Sequence, residues 1–473
     1  MSGSEPADKQ VLVAGIDSGT QSVKVTIRSA KTGEMIRSGR ASHPDGSEID
    51  PEYWWDALTS AIKEAGGLQD VKAISICAQQ HGMVALDLAG NVIRPALLWN
   101  DTRSAKAAAD LNREFGGGQK IAEAVGSVLV AAFTASKIRW LADNEPENAK
   151  KVAAVALPHD WLAWKLSGSK DLNDLCTDRG DASGTGYFDS VNNTYRKDIF
   201  ALALKSDREI VFPRIIEFAA FGLHTESGIP IAAGTGDNAA AALGLDAKPG
   251  DVVVSLGTSG TAFAVSKSPT SDATGEVAGF ADATGNFLPL VCTLNAARIL
   301  DAGLRILDCD FETFGNLALK AEPGAEGLTL LPYFEGERTP NRPEATGTFS
   351  GMTLSNSTRE NIARSMIEGM LCGMADAIAS LERQGVEVKR ILLIGGAAKS
   401  DAVSQIASSI FGREVLVPPA GEYVADGAAK QAAWALLGSP PIWNLGEVKS
   451  IKSAPTPEVL VKYRKLRDQT EGW

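Results

Sequence analysis

Two passages of this chain repeat one design. VLVAGIDSGTQSVKVTI runs over residues 11–27 and DVVVSLGTSGTAFAV over 251–265. Each is an apolar run, a Gly-Thr turn and a second apolar run, the pattern of a two-stranded hairpin closed at glycine. Its return after about half of the 473 residues indicates two related lobes and not a solenoid, whose repeats recur every ~20–50 residues. Apolar runs at 34–41, 73–78, 83–88 and 96–99 predict further strands, and Asp50-Pro51 predicts the start of a helix over 54–65. Helical patterns dominate from 105 to about 166, and the Gly-, Ser- and Asp-rich stretch 167–187 reads as loop-heavy. Composition changes at 244–250, around Lys248-Pro249-Gly250. The second half closes with a helical pattern over 359–384, a strand over 390–394 and Gly395-Gly396 opening another helix. The class is α/β, divided into residues 1–246 and 247–473.

Composition narrows the function classes. Hydrophobic residues make up 44% and charged residues 22%, ordinary for a globular chain that folds without disulfides or metal. The 46 basic and 58 acidic side chains leave a net charge of −12. Such a surface repels phosphate backbones, which argues against a nucleic-acid binder or a basic membrane-surface protein. Small anionic ligands stay open, because local backbone amides can hold a phosphate. Cys77, Cys176, Cys292, Cys309 and Cys372 are scattered, with no C-x-x-C pair. Neither a disulfide framework nor a zinc site is expected, and a reducing cytoplasm is the natural location. No apolar run approaches the ~18 residues of a membrane helix. The start, MSGSEPADKQ, lacks a charged-then-apolar leader and reads as a frayed tail.

Chemistry concentrates at strand ends. Successive N–H groups in the two Gly-Thr turns can form phosphate-binding concavities, with Thr20 and Thr258 adding hydroxyl donors. A single such turn would ordinarily just close its hairpin; the duplicate favours a shared ligand. Asp17 beside a phosphate makes sense with a cation, most simply Mg²⁺, and otherwise as a turn-forming residue. Asp237-Asn238 opens an Ala-rich helix after Gly234-Thr235-Gly236; the carboxylate there is either a helix cap, the usual role, or a general base aimed at a substrate hydroxyl. Gln80-His81-Gly82 joins two strands, where open α/β sheets bind ligands, and suits a polyhydroxy substrate. Trp99 ends another strand and packs either on a sugar face or into core. The chain has no G-x-x-x-x-G-K-[ST] and no H-E-x-x-H, which excludes a Walker A loop and a zincin site.

Taken together, the segments resemble the FGGY carbohydrate kinases. They are Asp17–Lys24 (DSGTQSVK), Gln80-His81-Gly82, Leu98–Arg103 (LWNDTR), Phe133–Trp140 (FTASKIRW), Gly236–Ala240 (GDNAA), Ser255–Gly260 (SLGTSG), Pro332–Pro340 (PYFEGERTP), Gly347–Gly351 (GTFSG), Ile367-Glu368-Gly369 and Ile394-Gly395-Gly396. The resemblance implies an actin/hexokinase-like fold of two ribonuclease-H-like lobes with a central cleft, sugar held by the first and ATP by the second. It implies Asp237 as general base, Asp17 at Mg²⁺, and Gln80, His81, Trp99, Asp237 and Asn238 around the sugar. Gly19-Thr20-Gln21 and Gly257-Thr258-Ser259 correspond to the phosphate loops, and Gly395-Gly396 to the segment beneath adenine. The implied reaction is transfer of the ATP γ-phosphoryl group to O5 of the ketopentose D-xylulose, by a homodimer. Another ketose, a polyol or a sugar acid is the alternative acceptor, and a non-catalytic sugar-sensing ATP switch the alternative class. Departures are Ala397 where relatives continue a third glycine, Asp426 at a usually uncharged position, and Gln80 in place of the commoner methionine.

Overall fold

The computed structural model describes residues 10–444 and 446–472; the expected frayed tail lies, as far as Lys9, outside them. The chain forms two compact units. In the first, β1 (Leu12–Ser18) and β2 (Ser22–Ser29) form the expected hairpin, and β3 (Met35–Ser42) continues it antiparallel. The helix α1 (Glu52–Glu64) buries Trp54, Leu58 and Ala61 on one face. β4 (Val71–Ala78) then runs parallel to β1. Both strands are covered on both faces, so they read as continuous apolar runs and not as alternation. Among the helices that follow are α2 (Thr134–Asn144), α3 (Pro158–Ser167) and the short α4 (Arg179–Ser183). The stretch expected as loop thus holds a helix, capped by the Asp178 carboxylate on the N–H groups of Gly180 and Asp181. β5 (Phe221–His224), β6 (Pro230–Ala232) and the two-residue β7 (Thr235–Gly236) lead into α5 (Asp237–Gly244). The sheet order is β3-β2-β1-β4-β6-β5, with β7 paired to the end of β4.

The second unit repeats this plan. The matching strands are β8 (Asp251–Leu256), β9 (Gly260–Ala264), β10 (Phe287–Thr293), then, after the long buried α6 (Arg359–Arg383), β11 (Arg390–Ile394), β12 (Val415–Val417) and β13 (Lys449–Ile451). Their order is β10-β9-β8-β11-β12-β13. In both units successive pairs along this path run antiparallel, antiparallel, parallel, parallel, antiparallel. The duplicated hairpin therefore marks a duplicated sheet.

The units differ from contiguous halves. The first runs to Asp246 but also takes Phe280–Asn286 and Gly421–Asn444, which contains α7 (Tyr423–Leu437). The reason is backbone-to-backbone packing at glycines. A Cβ on Gly15 of β1 would fall on the Ala425 carbonyl oxygen, one on Gly244 of α5 on that of Tyr423, and one on Gly427 of α7 on that of Ala240. Only chains with no side chain at these points can approach so closely. Gly427→Ala is accordingly expected to push α5 and α7 apart and cost about 3 kcal/mol, read as a lowered Tm. The same return accounts for Asp426: the Arg28 Nε of β2 donates to its Oδ1 at 2.8 Å.

Candidate active site

The end of β1 carries Asp17, a residue only 8% exposed. Hairpin register sets Lys24 of β2 directly across from it, with Nζ 3.9 Å from Asp17 Oδ2 and ion-paired to Glu422. Burial pushes the Asp17 carboxyl up to about 6; Lys24 opposes the shift and Glu422 adds to it. Within the DSGTQSVK segment, residue order alone gives Lys24 no role. Its placement follows from strand pairing, which its position in the sequence does not display.

The turn beyond Asp17 is tied down residue by residue. Gly19 N–H donates to Ser22 O at 3.1 Å, and a His43 ring nitrogen lies 3.1 Å from the Gly19 carbonyl. Thr20 Oγ1 accepts from Trp99 Nε1 at 3.1 Å, and Gln21 Nε2 donates to Asp45 at 3.3 Å. Trp99 is 39% exposed, so its ring is not core.

Asp237 is the first residue of α5, and Gly236 holds the cap position without a side-chain bond. The carboxylate is therefore no helix cap. Its Oδ1 accepts instead from the backbone N–H and the amide of Asn238, each at 2.8 Å. Burial raises its pKa to about 7, with the negative charges of Asp17 and Asp181 adding to the shift. A carboxylate poised near neutrality is a serviceable proton acceptor. A second one close by, burdened by desolvation, is a natural hard-oxygen partner for a divalent cation of the Mg²⁺ type.

Beyond β4, the chain turns beside these groups. Gln79 is 1% exposed, and its side-chain amide has no hydrogen-bond partner among the described residues. Such an orphaned amide calls for a hydroxyl or a water. Gln80 packs on Gly236, where a Cβ would lie 2.6 Å from Gln80 Cγ. His81 adopts φ 70°, and its Nδ1 lies 2.6 Å from the Gly184 carbonyl, an acceptor that requires the proton on Nδ1. The ring rests against Phe133 and Phe280, with centroids 5.0 and 5.5 Å away. Lys137, of the FTASKIRW segment, is fully buried and donates to the carbonyls of Ala131 and Ala132. Burial pulls its ammonium down to about 7. It braces the loop that delivers Phe133 to His81.

The remaining expected residues belong to the second unit. Gly257, Thr258 and Ser259 form the turn between β8 and β9, with Thr258 exposed and little around Gly257 beyond Ser259 O. Gly395 has φ 96°, and a Cβ there would strike the Leu256 backbone, so glycine is required where β11 ends against β8. Around Gly396 the space is open, and Ala397 begins a 3₁₀ turn. Both turns thus present glycine backbone with room beside it.

The sequence pattern of the N-terminal domain of the FGGY family of carbohydrate kinases matches residues 12–244, and that of the C-terminal domain matches 252–436. This chain belongs to that family. It is 43% identical over 441 residues to the xylulose kinase of Streptomyces coelicolor, covering 90% of this chain and 88% of that one. To the xylulose kinase of Escherichia coli it is 34% identical over 425 residues, 85% of each chain. The crystal structure of xylulose kinase from Bifidobacterium adolescentis matches with a TM-score of 0.91 at 47% identity, covering 97% of this chain and 100% of that one. The kinase thus has the actin/hexokinase-like fold, one ribonuclease-H-like sheet in each lobe. Among its described residues no helix is long and apolar enough to cross a membrane.

Proposed function

We propose that this kinase transfers the γ-phosphoryl group of ATP to O5 of D-xylulose, with Asp237 as general base. The observation that carries the reading is the placement of Asp237, poised near neutrality, and buried Asp17 on either side of the end of β4. The names of the relatives support the ketose. Gln80, His81, Trp99 and Asn238 are the proposed sugar contacts, and the orphaned amide of Gln79 joins them as a donor to a hydroxyl or its water. Asp237 orients the acceptor hydroxyl and takes its proton late, because a loose phosphoryl-transfer transition state needs little prior deprotonation. The amides of Gly19-Thr20-Gln21 and Gly257-Thr258-Ser259 are assigned to phosphate, and Gly395-Gly396 to the adenine side. Asp17 would hold the Mg²⁺ of Mg-ATP, which supplies charge neutralisation among the phosphates. Lys24 keeps Asp17 compensated and ionised. The same reading carries a cytoplasmic homodimer, checked by cell fractionation and light scattering.

The test is ADP release coupled to a dye or pyridine nucleotide, with Mg-ATP and a panel of D-xylulose, D-ribulose, L-ribulose, glycerol and gluconate. Turnover should be strongest with D-xylulose and should vanish when EDTA removes the divalent cation. Preference for another panel member would retain the mechanism and move the acceptor, with polar Gln80 the first place to look. ATP binding without sugar-stimulated turnover on any of them would overturn the reading in favour of a sensor.

A further inference from the structure

A second cluster of buried ionisable groups lies behind the strand that delivers Asp237. His159 and Asp160 of α3, Asp178 at the cap of α4 and Asp181 within it are all between 0 and 2% exposed. His159 Nδ1 is 2.6 Å from Asp181 Oδ2, and its Nε2 is 3.2 Å from Asp160 Oδ1. Burial works against a charged ring, but the flanking carboxylates outweigh it and raise the imidazole pKa to about 9. The group is therefore an imidazolium held between two aspartates. Nδ1 is hydrogen-bonded to Asp181, while Nε2 stands at ion-pair distance from Asp160 without a hydrogen bond; a ring protonated on both nitrogens has no lone pair to offer a metal.

Asp160 also accepts from the Leu157 N–H at 2.8 Å, at the start of α3, while the other connections lead toward Asp237. Asp178 accepts three hydrogen bonds: from the N–H groups of Gly180 and Asp181 at 2.9 and 2.8 Å, and from Thr235 Oγ1 at 2.8 Å. Thr235 is the first residue of β7, two before Asp237. The His159 ring also abuts Gly234, where φ is 74° and a Cβ would lie 2.6 Å from His159 Cδ2. From the other side Gln431 of α7 donates to the Gly234 carbonyl at 3.0 Å, and itself accepts from Ser75 Oγ at 2.6 Å. Residues 234 and 235 are thus gripped on three sides immediately ahead of the proposed base. Three carboxylates and one ring are a costly way to fill core, where apolar side chains of similar volume serve stability as well or better. What a hydrogen-bonded ionic clamp offers over an apolar core is a fixed position.

We propose that His159 is a positioning residue for Asp237: bridging Asp160 and Asp181, it keeps Asp178 able to clamp Thr235 and so fixes the strand that presents the base. The proposal rests on the reading of Asp237 as base. Without the imidazolium, the like charges of Asp178 and Asp181 have no counter-charge. One of them then takes up a proton, the clamp loses acceptor strength, and Asp237 drifts from its attack geometry. A displacement of about 1 Å at a reacting group is enough for a 10²-fold loss.

The experiment compares Thr235→Val, Thr235→Ser, His159→Gln and the Thr235→Val/His159→Gln double variant of the full chain in steady-state kinetics, with Tm recorded alongside. Thr235→Val is expected to lower kcat on the order of 10-fold with the KM for ATP within about twofold, and Thr235→Ser, which restores the hydroxyl, should recover most of it. His159→Gln should fall similarly, and the double variant should fall little further than either single change, because both act through one clamp. Folded Thr235→Val with near-normal kcat and only a lowered Tm would overturn the proposal, as would multiplicative losses in the double variant. Thr235→Val and Thr235→Ser decide the matter even if His159→Gln does not fold. Asp237→Ala run in parallel separates the two layers: full turnover there would refute the base itself, whereas an inactive Asp237→Ala beside an unaffected Thr235→Val would refute only the positioning.

Discussion

Asp237→Asn is expected to lower kcat on the order of 10³-fold while leaving the KM for ATP nearly unchanged. The amide is isosteric and keeps the contact with Asn238, so what it removes is the ability to take a proton. The pH dependence gives an independent signature. The carboxyl titrates near 7 because burial, and then the charge of Asp17, disfavour its ionised form. A base works only when ionised, so kcat/KM in the parent should climb as pH rises through about 7 and level off above it. That limb should disappear from the residual activity of Asp237→Asn. A profile flat between pH 5.5 and 8.5 in the parent would show that Asp237 is not the rate-controlling proton acceptor.

Asp17→Asn should be almost as damaging, with kcat down on the order of 10²-fold and a higher concentration of Mg²⁺ needed for half-maximal rate. Its carboxylate is the buried negative charge at the end of β1, and Lys24 alone stands across from it in the hairpin register. Removing that charge also relieves Asp237, on which Asp17 acts by repulsion. The acid limb of the residual activity should therefore move to lower pH. These two consequences point in opposite directions for activity near pH 6, and measuring both separates a cation-holding role from a merely electrostatic one. An unchanged Mg²⁺ requirement with a normal rate would remove Asp17 from the machinery.

Much of this was legible in one dimension, for definite reasons. The hairpins 12–29 and 251–264 announce themselves because glycine turns between β-branched runs have few other uses, and both formed within a residue or two of their expected ends. The helix over 359–383 was equally plain, since a 25-residue helix outlasts local ambiguity. The short helix at Arg179–Ser183 was not, because Gly, Ser and Asp there satisfy the rules for a loop. It exists because Asp178 caps it and its neighbours bury it.

The division of labour between sequence and tertiary structure follows the range of the forces involved. Residue order alone determined that the chain has two related α/β lobes, that Asp17 and the Gly-Thr turns stand at strand ends, and that the motifs match the FGGY kinases. Those are local facts of backbone freedom and periodicity. Only the tertiary structure decided that residues 421–444 return to the first unit, that Arg28 neutralises Asp426, that Lys24 faces Asp17, and that His159 and Asp178 stand behind Asp237. Each of these joins positions far apart in sequence or hidden in register, through contacts that act over a few ångströms. Such pairings leave no periodic trace in the chain, and they come into being only when glycines let the elements touch.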